Sequence, residues 1–250
     1  MQTLKGKSAV VVGASSGVGR ATLVALAAQG MRVCGVARGG ERLDRIVRET
    51  PGEVVAVTAD ATDPEVATRL VRDHDPDLLV LALGVRPQIA PIDEYTWESF
   101  SAPWHTDVKA AFHFCQEALC KPLRPGSTVV VVSSGAAING SPLSGGYAGA
   151  KRMQWLLAGY MQRLAERRGL GLRFVALVPK QMIVGTEIAD AASRGYGDES
   201  GIGQAKFMER YGVQLMPEGV ADAILKIARA DEGTEATSIA VTGAGIEALA

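Results

Sequence analysis

The sequence predicts an α/β protein built on one doubly wound parallel β-sheet of about seven strands, with helices on both faces. Three observations carry that expectation. Short aliphatic runs alternate with longer amphipathic stretches almost to the C-terminus. Runs such as Val10-Val11-Val12 and Val129-Val130-Val131-Val132 are unbroken and β-branched, as strands covered on both faces read. The connections are short, and strand–helix alternation of this kind implies right-handed crossovers into one parallel sheet. No linker, repeat or low-complexity tract divides the chain, so residues 1–250 read as a single domain.

The elements follow in order. The opening strand ends at Val12; Ala21–Gln29 reads as a helix with Gly30 placed to cap its C-terminus. Arg32–Ala37 is the second strand and Glu41–Glu49 the second helix. Glu53–Thr58 is the third strand, and Asp63-Pro64 then opens a helix with an N-cap carboxylate and a first-turn proline. Leu78–Leu83 is the fourth strand; the helix after it starts between Tyr95 and Thr106 and ends near Leu119. Ser127–Val132 is the fifth strand, Tyr147–Arg168 a long helix, and Leu172–Val178 the sixth strand. The segment 181–214, rich in glycine, alanine and charge, breaks the rhythm and shows no clear strand. Pro217–Ala230 is the last helix and Ser238–Val241 a short last strand.

Bulk properties exclude several classes of function. Hydrophobic residues make up 47% of the chain and aromatics 5%, so the core is aliphatic and large. A net charge of -1 gives no surface for nucleic acid or for an acidic membrane. Cys34, Cys115 and Cys120 have no redox or metal spacing and read as buried small hydrophobes in a reducing compartment. The three histidines have no mutual spacing for a metal, so no metal site is expected. Met1–Lys7 is polar and short, unlike a signal peptide, and no apolar stretch is long enough to span a bilayer. A soluble, cytoplasmic protein is the expectation.

The stretch from Val10 to Arg20 organises the rest. An apolar run stops at Gly13, and Gly17 and Gly19 follow before helix-like sequence begins at about Arg20. Glycines let a backbone turn tightly and approach something with no room for Cβ atoms. A helix N-terminus behind such a turn favours an anion, commonly a dinucleotide pyrophosphate; a ligand-free glycine turn is the alternative. Ligands of doubly wound sheets bind beyond the C-terminal strand ends, so the residues there are read next. After the second strand, Ala37 offers no acid to a ribose 2′-hydroxyl, whereas Arg38 suits a 2′-phosphate or is simply an exposed arginine. After the third strand, Asp60 in Ala59-Asp60-Ala61 either accepts from an adenine amino group or caps a turn.

The densest chemistry lies in Ser133–Lys151. Tyr147 and Lys151 are four residues apart and share one helix face. An adjacent ammonium stabilises a phenolate and lowers a phenol pKa from its usual value of about 10, making Tyr147 a usable proton donor or acceptor. Ser134 closes the fifth strand and lies 13 residues earlier, where its hydroxyl can hold a substrate oxygen beside the phenol. A surface Tyr–Lys pair is common by chance; the strand-end placement singles this one out.

With these residues the chain resembles the short-chain dehydrogenase/reductase family over nearly its whole length. Gly13-Ala14-Ser15-Ser16-Gly17-Val18-Gly19 matches its glycine motif, Tyr147-Ala148-Gly149-Ala150-Lys151 its Tyr-x-x-x-Lys, and Ser134 its serine. The resemblance implies a Rossmann-type fold and hydride transfer between a nicotinamide cofactor and a carbonyl or carbinol. It makes Tyr147 the general acid/base, Ser134 the group that orients substrate, and Lys151 the residue that tunes the tyrosine and holds the nicotinamide ribose. Ala37-Arg38 resembles the family's NADPH-preferring variant, so NADP(H) is expected over NAD(H). The cofactor would meet Gly13, Ser15, Ser16, Gly17, Val18, Gly19, Arg38, Asp60, Ala61, Leu83, Gly84, Tyr147, Lys151, Pro179, Met182 and Thr186.

The chain also departs from the family pattern. Leu81-Ala82-Leu83-Gly84 stands where Asn-Asn-Ala-Gly is usual, and Asp107 takes the position of a catalytic asparagine. An acid there accepts bonds but cannot donate as an amide does. Pro179-Lys180 replaces a Pro-Gly turn, Thr186 comes later than the usual nicotinamide-contacting threonine, and Val241-Thr242-Gly243-Ala244-Gly245 replaces the usual Asp-Gly-Gly ending. The 181–214 segment corresponds to the substrate-covering region. It reads as a mobile lid with Met182, Ile183, Phe207 and Met208 available to pack on a ligand, or as a surface loop with its own small helices. Trp97 and Trp104 fall where such folds form oligomer interfaces, and partial burial is expected of both. The leading expectation is an NADP(H)-dependent reductase of a ketone or aldehyde, assembled as a homodimer or homotetramer. A dehydratase or isomerase using the same site, and a nucleotide-binding regulator without turnover, are the alternatives.

Overall fold

The computed structural model describes residues 3–249. The polar start read over Met1–Lys7 therefore falls partly on Met1 and Gln2, outside the described residues. Eight strands form one sheet: β1 (Ser8–Val12), β2 (Arg32–Ala37), β3 (Val54–Thr58), β4 (Leu78–Leu81), β5 (Thr128–Val132), β6 (Arg173–Pro179), β7 (Ser238–Thr242) and β8 (Gly245–Ala248). Their order is β3-β2-β1-β4-β5-β6-β7-β8. The first seven strands pair in parallel, and β8 adds an antiparallel edge to the seven expected.

Ten helices cover the sheet among the described residues: α1 (Gly17–Ala28), α2 (Gly40–Glu49), α3 (Pro64–His74), α4 (Trp97–Pro103), α5 (Lys109–Cys120), α6 (Ala136–Asn139), α7 (Gly146–Arg167), α8 (Glu187–Glu199), α9 (Gly203–Glu209) and α10 (Pro217–Arg229). Successive strand residues point to opposite faces, and β1 shows both. Ala9 and Val11 pack with Leu23, Leu26 and Ile224 on one side; Val10 and Val12 pack with Leu70, Phe114 and Leu157 on the other. This double burial is why the central strands β1, β4 and β5 are polar at most at their first residue, Ser8 and Thr128. Because β1 pairs with both β2 and β4, the crossovers run in opposite directions from it. That is the switch point where such sheets open a crevice at their C-terminal edge.

Several local expectations shift. Helix α1 begins at Gly17, a turn earlier than the glycine content suggests, and the fourth strand ends at Leu81 instead of Leu83. The helix of undefined start is capped by Thr96, whose side chain accepts from the Ser99 amide at 3.2 Å. It is interrupted at Trp104–Val108 by one π-type turn just after Pro103, which lacks an amide hydrogen. The extra residue re-aims the helix, and Asp107 turns inward until only 1% of its surface is exposed. The 181–214 segment carries α8 and α9, so it is largely helical. Of the two tryptophans, Trp104 is 40% exposed and donates from Nε1 to the Gly146 carbonyl at 3.2 Å. Trp97 departs from the expected burial: it begins α4 on the solvent side, 75% exposed, and stacks on Phe100. Cys34 and Cys115 are buried, and burial pushes both thiols up to about 12; Cys120 ends α5 and is exposed, against expectation. No helix of the described residues is long and apolar enough to cross a membrane.

Candidate active site

The glycine turn is held by the sheet beneath it. The amides of Gly13 and Ala14 both donate to the Val36 carbonyl, at 2.9 and 3.1 Å. Gly13 has φ +90°, and a β-carbon there would lie 2.7 Å from the Ala82 carbonyl oxygen; one at Gly19 would press into the Gly13 carbonyl. The turn therefore needs glycine at both places. Ser16 is the extended N-cap of α1, yet its side chain makes no capping bond, and the first turn holds no acid. The first amides of a twelve-residue helix are thus left to face an anion. Ser16, Gly17 and Val18 line one end of a cavity of about 640 Å³; Gly13, Ser15 and Gly19 shape the turn behind it.

At the neighbouring strand ends, Arg38 is exposed just after β2. Asp60 is occupied by its own turn, where one oxygen accepts from the Thr62 amide and hydroxyl, each at 2.9 Å. Those two bonds, with smaller help from the charges of Arg38 and Lys109, hold its carboxyl below the usual range. Asp60 thus caps its own turn, as one of the two expectations for it has it. Ala61 is buried against the α3 side of the core. None of the three lines the main cavity, whereas Arg42 of α2 does, paired at 3.7 Å with Glu187 at the start of α8. Sequence reasoning passed over Arg42 because nothing in its spacing points across to α8.

Ser134, Tyr147 and Lys151 line the same cavity. Ser134 lies two residues past the end of β5 instead of closing it, and its oxygen accepts from the Ala136 amide at 3.2 Å. Lys151 lies one turn after Tyr147 on α7, with its Nζ 5.6 Å from the Tyr147 ring centre. The ammonium donates to the Leu83 carbonyl at 2.8 Å and faces Asp107 Oδ2 at 3.3 Å. Asp107 Oδ1 accepts from the Val85 amide and the Thr106 hydroxyl, both at 3.0 Å. The acid thus braces the stretch after β4, and it reaches the cavity only through Lys151.

The electrostatics correct one expectation. Burial pushes the Tyr147 phenol above its ordinary pKa; Lys151 pulls it down, Asp107 pushes it up and Ser134 pulls it down. The lysine acts in the anticipated sense but burial outweighs it, so the phenol is a proton donor across neutral pH.

The remaining predicted residues close the site from above. Gly84 sits beside Ile188 of α8, and Pro179 and Met182 line the cavity after β6. Thr186 caps α8, accepting from Ala189 and donating to the Ile183 carbonyl, while its methyl lies against Gly17. Of the four apolar residues singled out in the covering segment, Met182, Ile183 and Phe207 line the cavity and Met208 does not. Tyr196 was not foreseen. Its hydroxyl is 2.6 Å from Ser141 Oγ and accepts from the Leu143 amide at 3.1 Å, pinning α8 to the loop before Tyr147.

Comparison with known proteins agrees with this geometry. The model of the short chain dehydrogenase family matches residues 7–195. The chain is 37% identical over 114 residues to the L-xylulose reductase of Mus musculus, covering 45% of this chain and 46% of that one. It is 30% identical over 190 residues to the uncharacterized oxidoreductase YghA of Escherichia coli, covering 70% of this chain and 63% of that one. These alignments thus span less than two thirds of either relative. The crystal structure of an NAD+-bound xylitol dehydrogenase superposes with a TM-score of 0.84 over 97% of this chain and 100% of that one, at 18% identity, a likeness of fold. With the family match running from before β1 into α8, the chain belongs to the short chain dehydrogenase family.

Proposed function

We propose that the protein is an NADP(H)-dependent oxidoreductase that interconverts a ketone or aldehyde and its alcohol, with Tyr147 as general acid/base. One observation carries the reading: Ser134, Tyr147 and Lys151 share a single cavity with the glycine turn and the open N-terminus of α1. The chain fits a dinucleotide there. Gly13 and Gly19 let the turn close tightly on its own backbone, which sets the α1 N-terminus behind it, and no carboxylate in the first turn of α1 repels a pyrophosphate.

When bound, the nicotinamide supplies or accepts the hydride. Around it the chain's own groups have distinct tasks. The amides of Ser16, Gly17 and Val18 hold the pyrophosphate, and Arg38 holds the 2′-phosphate of NADP(H) in charge-assisted contact. Lys151 offers its ammonium to the ribose hydroxyls. Ser134 donates to the carbonyl oxygen, and the Tyr147 phenol gives its proton to that oxygen in reduction and takes it back in oxidation. Helices α8 and α9 lie over the site and exclude water. The whole chain acts as one catalytic domain, in the cytoplasm, as a homodimer or homotetramer. Exposed Trp97 of α4 and Phe112 of α5 supply an apolar face for assembly.

A cofactor-oxidation screen over ketones and aldehydes tests the reading. Turnover with NADPH is expected, and Tyr147→Phe abolishes it while cofactor binding stays near normal. Full activity in that variant overturns the assignment.

A further inference from the structure

The charges around the cavity do not balance. Its lining includes five cations, Arg42, Arg86, Lys151, Lys180 and Arg210, against one acid, Glu187. Three of the cations are matched: Arg42 by Glu187 at 3.7 Å, Lys151 by Asp107 at 3.3 Å, and Lys180 by Glu247 at 2.8 Å. Arg86 and Arg210 have no carboxylate partner among the described residues.

Both line the cavity that also holds Ser134, Tyr147 and Lys151. Arg86 lies three residues after Leu83, whose carbonyl receives Lys151. The Arg210 guanidinium is held 4.6 Å over the Phe207 ring, and Phe207 stacks on Tyr196, which is bonded to the loop before Tyr147. Both arginines are exposed, and the one resting on an aromatic face is oriented to offer its planar fork to an anion. Neither belongs to the glycine turn or to α1, which leaves these two arginines for the substrate.

The rest of the lining is part apolar and part polar, with Asn139, Ser144 and Tyr211 among its polar side chains. Ile89, Pro142, Ile188, Ala192 and Phe207 contribute no side-chain donors or acceptors. The hydroxyls of Tyr196 and Ser141 are bonded to each other, and the Gln181 amide is spent on the backbone of Tyr211, Val213 and Gly243.

We infer that the substrate is a carbonyl compound that carries a carboxylate, a keto acid, with that carboxylate received by Arg210 and Arg86. This rests on the oxidoreductase reading above and narrows it.

Three acids, phenylglyoxylate, 4-methyl-2-oxopentanoate and 3-benzoylpropionate, are compared with their methyl esters and with L-xylulose, using the full chain and NADPH. At least one free acid is expected to exceed its ester in kcat/KM by roughly tenfold or more, the span of one charge-assisted contact. Arg210→Met and Arg86→Met then bring the acid-to-ester ratio close to one, chiefly through KM for the acid, while KM for NADPH holds. Equal use of acid and ester in all three pairs, or L-xylulose as the best substrate, overturns the inference. A rise confined to KM for NADPH in the arginine variants also overturns it, by assigning those side chains to the cofactor. Calorimetric titration with the same acids separates the two levels. Binding that needs Arg210 but leads to no turnover with any carbonyl refutes the oxidoreductase reading and keeps the anion site. Turnover of neutral ketones without acid preference refutes only the inference.

Discussion

The carboxylate of Asp107 and the ammonium of Lys151 lie 3.3 Å apart, with neither side chain more than 3% exposed. Both charges are kept because each has further partners: Val85 and Thr106 on the acid, the Leu83 carbonyl on the lysine. The pair thereby ties the π-type turn and α7 to the stretch after β4. Removing one partner leaves the other charge buried alone, so Lys151→Met is expected to lower stability by about 3–5 kcal/mol. Adding Asp107→Asn should restore part of that loss. Urea denaturation of the four proteins in a double-mutant cycle measures the coupling, and simple additivity of the two substitutions contradicts it.

The same pair sets a pH dependence. Burial foremost, with Asp107 adding to it, holds the Tyr147 phenol above its ordinary value, against Lys151 and Ser134. Its folded pKa lies above the unfolded one, so the stability it contributes is complete below about pH 10 and is lost as pH rises through the folded value. For catalysis, carbonyl reduction should keep its rate from neutral into mildly alkaline solution, while alcohol oxidation, which needs the phenolate, climbs with pH. Asp107→Asn removes a negative charge, lowers the phenol pKa and moves the rising limb of oxidation to lower pH. A limb that stays in place or moves upward shows that the carboxylate does not act on Tyr147.

The strands were readable because burial on both faces forces unbroken valine runs, as β1 and β5 show. The start of α3 was readable too: Asp63 does accept from the Glu65 amide at 2.9 Å, ahead of Pro64. The start of α1 was hidden, because Gly17-Val18-Gly19 has poor helix propensity and is fixed by bonds from the preceding turn to Val36. Strand β8 was missed since its edge position leaves it largely exposed, without an apolar run. In the 181–214 segment, Gly195, Gly197, Gly201 and Gly203 dilute the helical pattern; Gly197 is where α8 lies directly against the backbone of Gly203. Ser134, Tyr147 and Lys151 declared themselves by strand-end and i,i+4 placement. Arg42, Tyr196 and Arg210 did not, since only the packing of distant elements brings them to the cavity. The raised phenol of Tyr147 was equally illegible, as burial is a property of the assembled fold.

Arg38 tests the cofactor assignment. It is exposed just after β2 and carries no ion-pair partner among the described residues, so its guanidinium is free for a 2′-phosphate. A hydrogen bond to a charged group contributes about 1.5–3 kcal/mol, so Arg38→Ala should weaken NADPH binding roughly 10- to 150-fold. Binding of NADH, which lacks that phosphate, should change by less than about twofold, well short of the tenfold that 1.4 kcal/mol represents. Fluorescence titration with the two cofactors gives the answer. Equal losses for both would place Arg38 in the turn's architecture and leave the choice of cofactor to another residue.

Gly19 tests the cradle itself. A β-carbon there runs into the Gly13 carbonyl, which is backbone and cannot swing aside as a side chain would. Gly13 cannot retreat either: its amide is bonded to Val36 at 2.9 Å and its open face meets Ala82. Relief must come from α1 shifting away from β1, which displaces the amides of Ser16, Gly17 and Val18 and loosens Leu23 and Leu26 in the core. Gly19→Ala is therefore expected to cost about 1–3 kcal/mol, as overpacking does, and to weaken NADPH binding more than Arg38→Ala does. Thermal unfolding and the same titration check both halves. A variant that unfolds earlier yet binds NADPH normally would separate the turn's structural role from any contact with the cofactor.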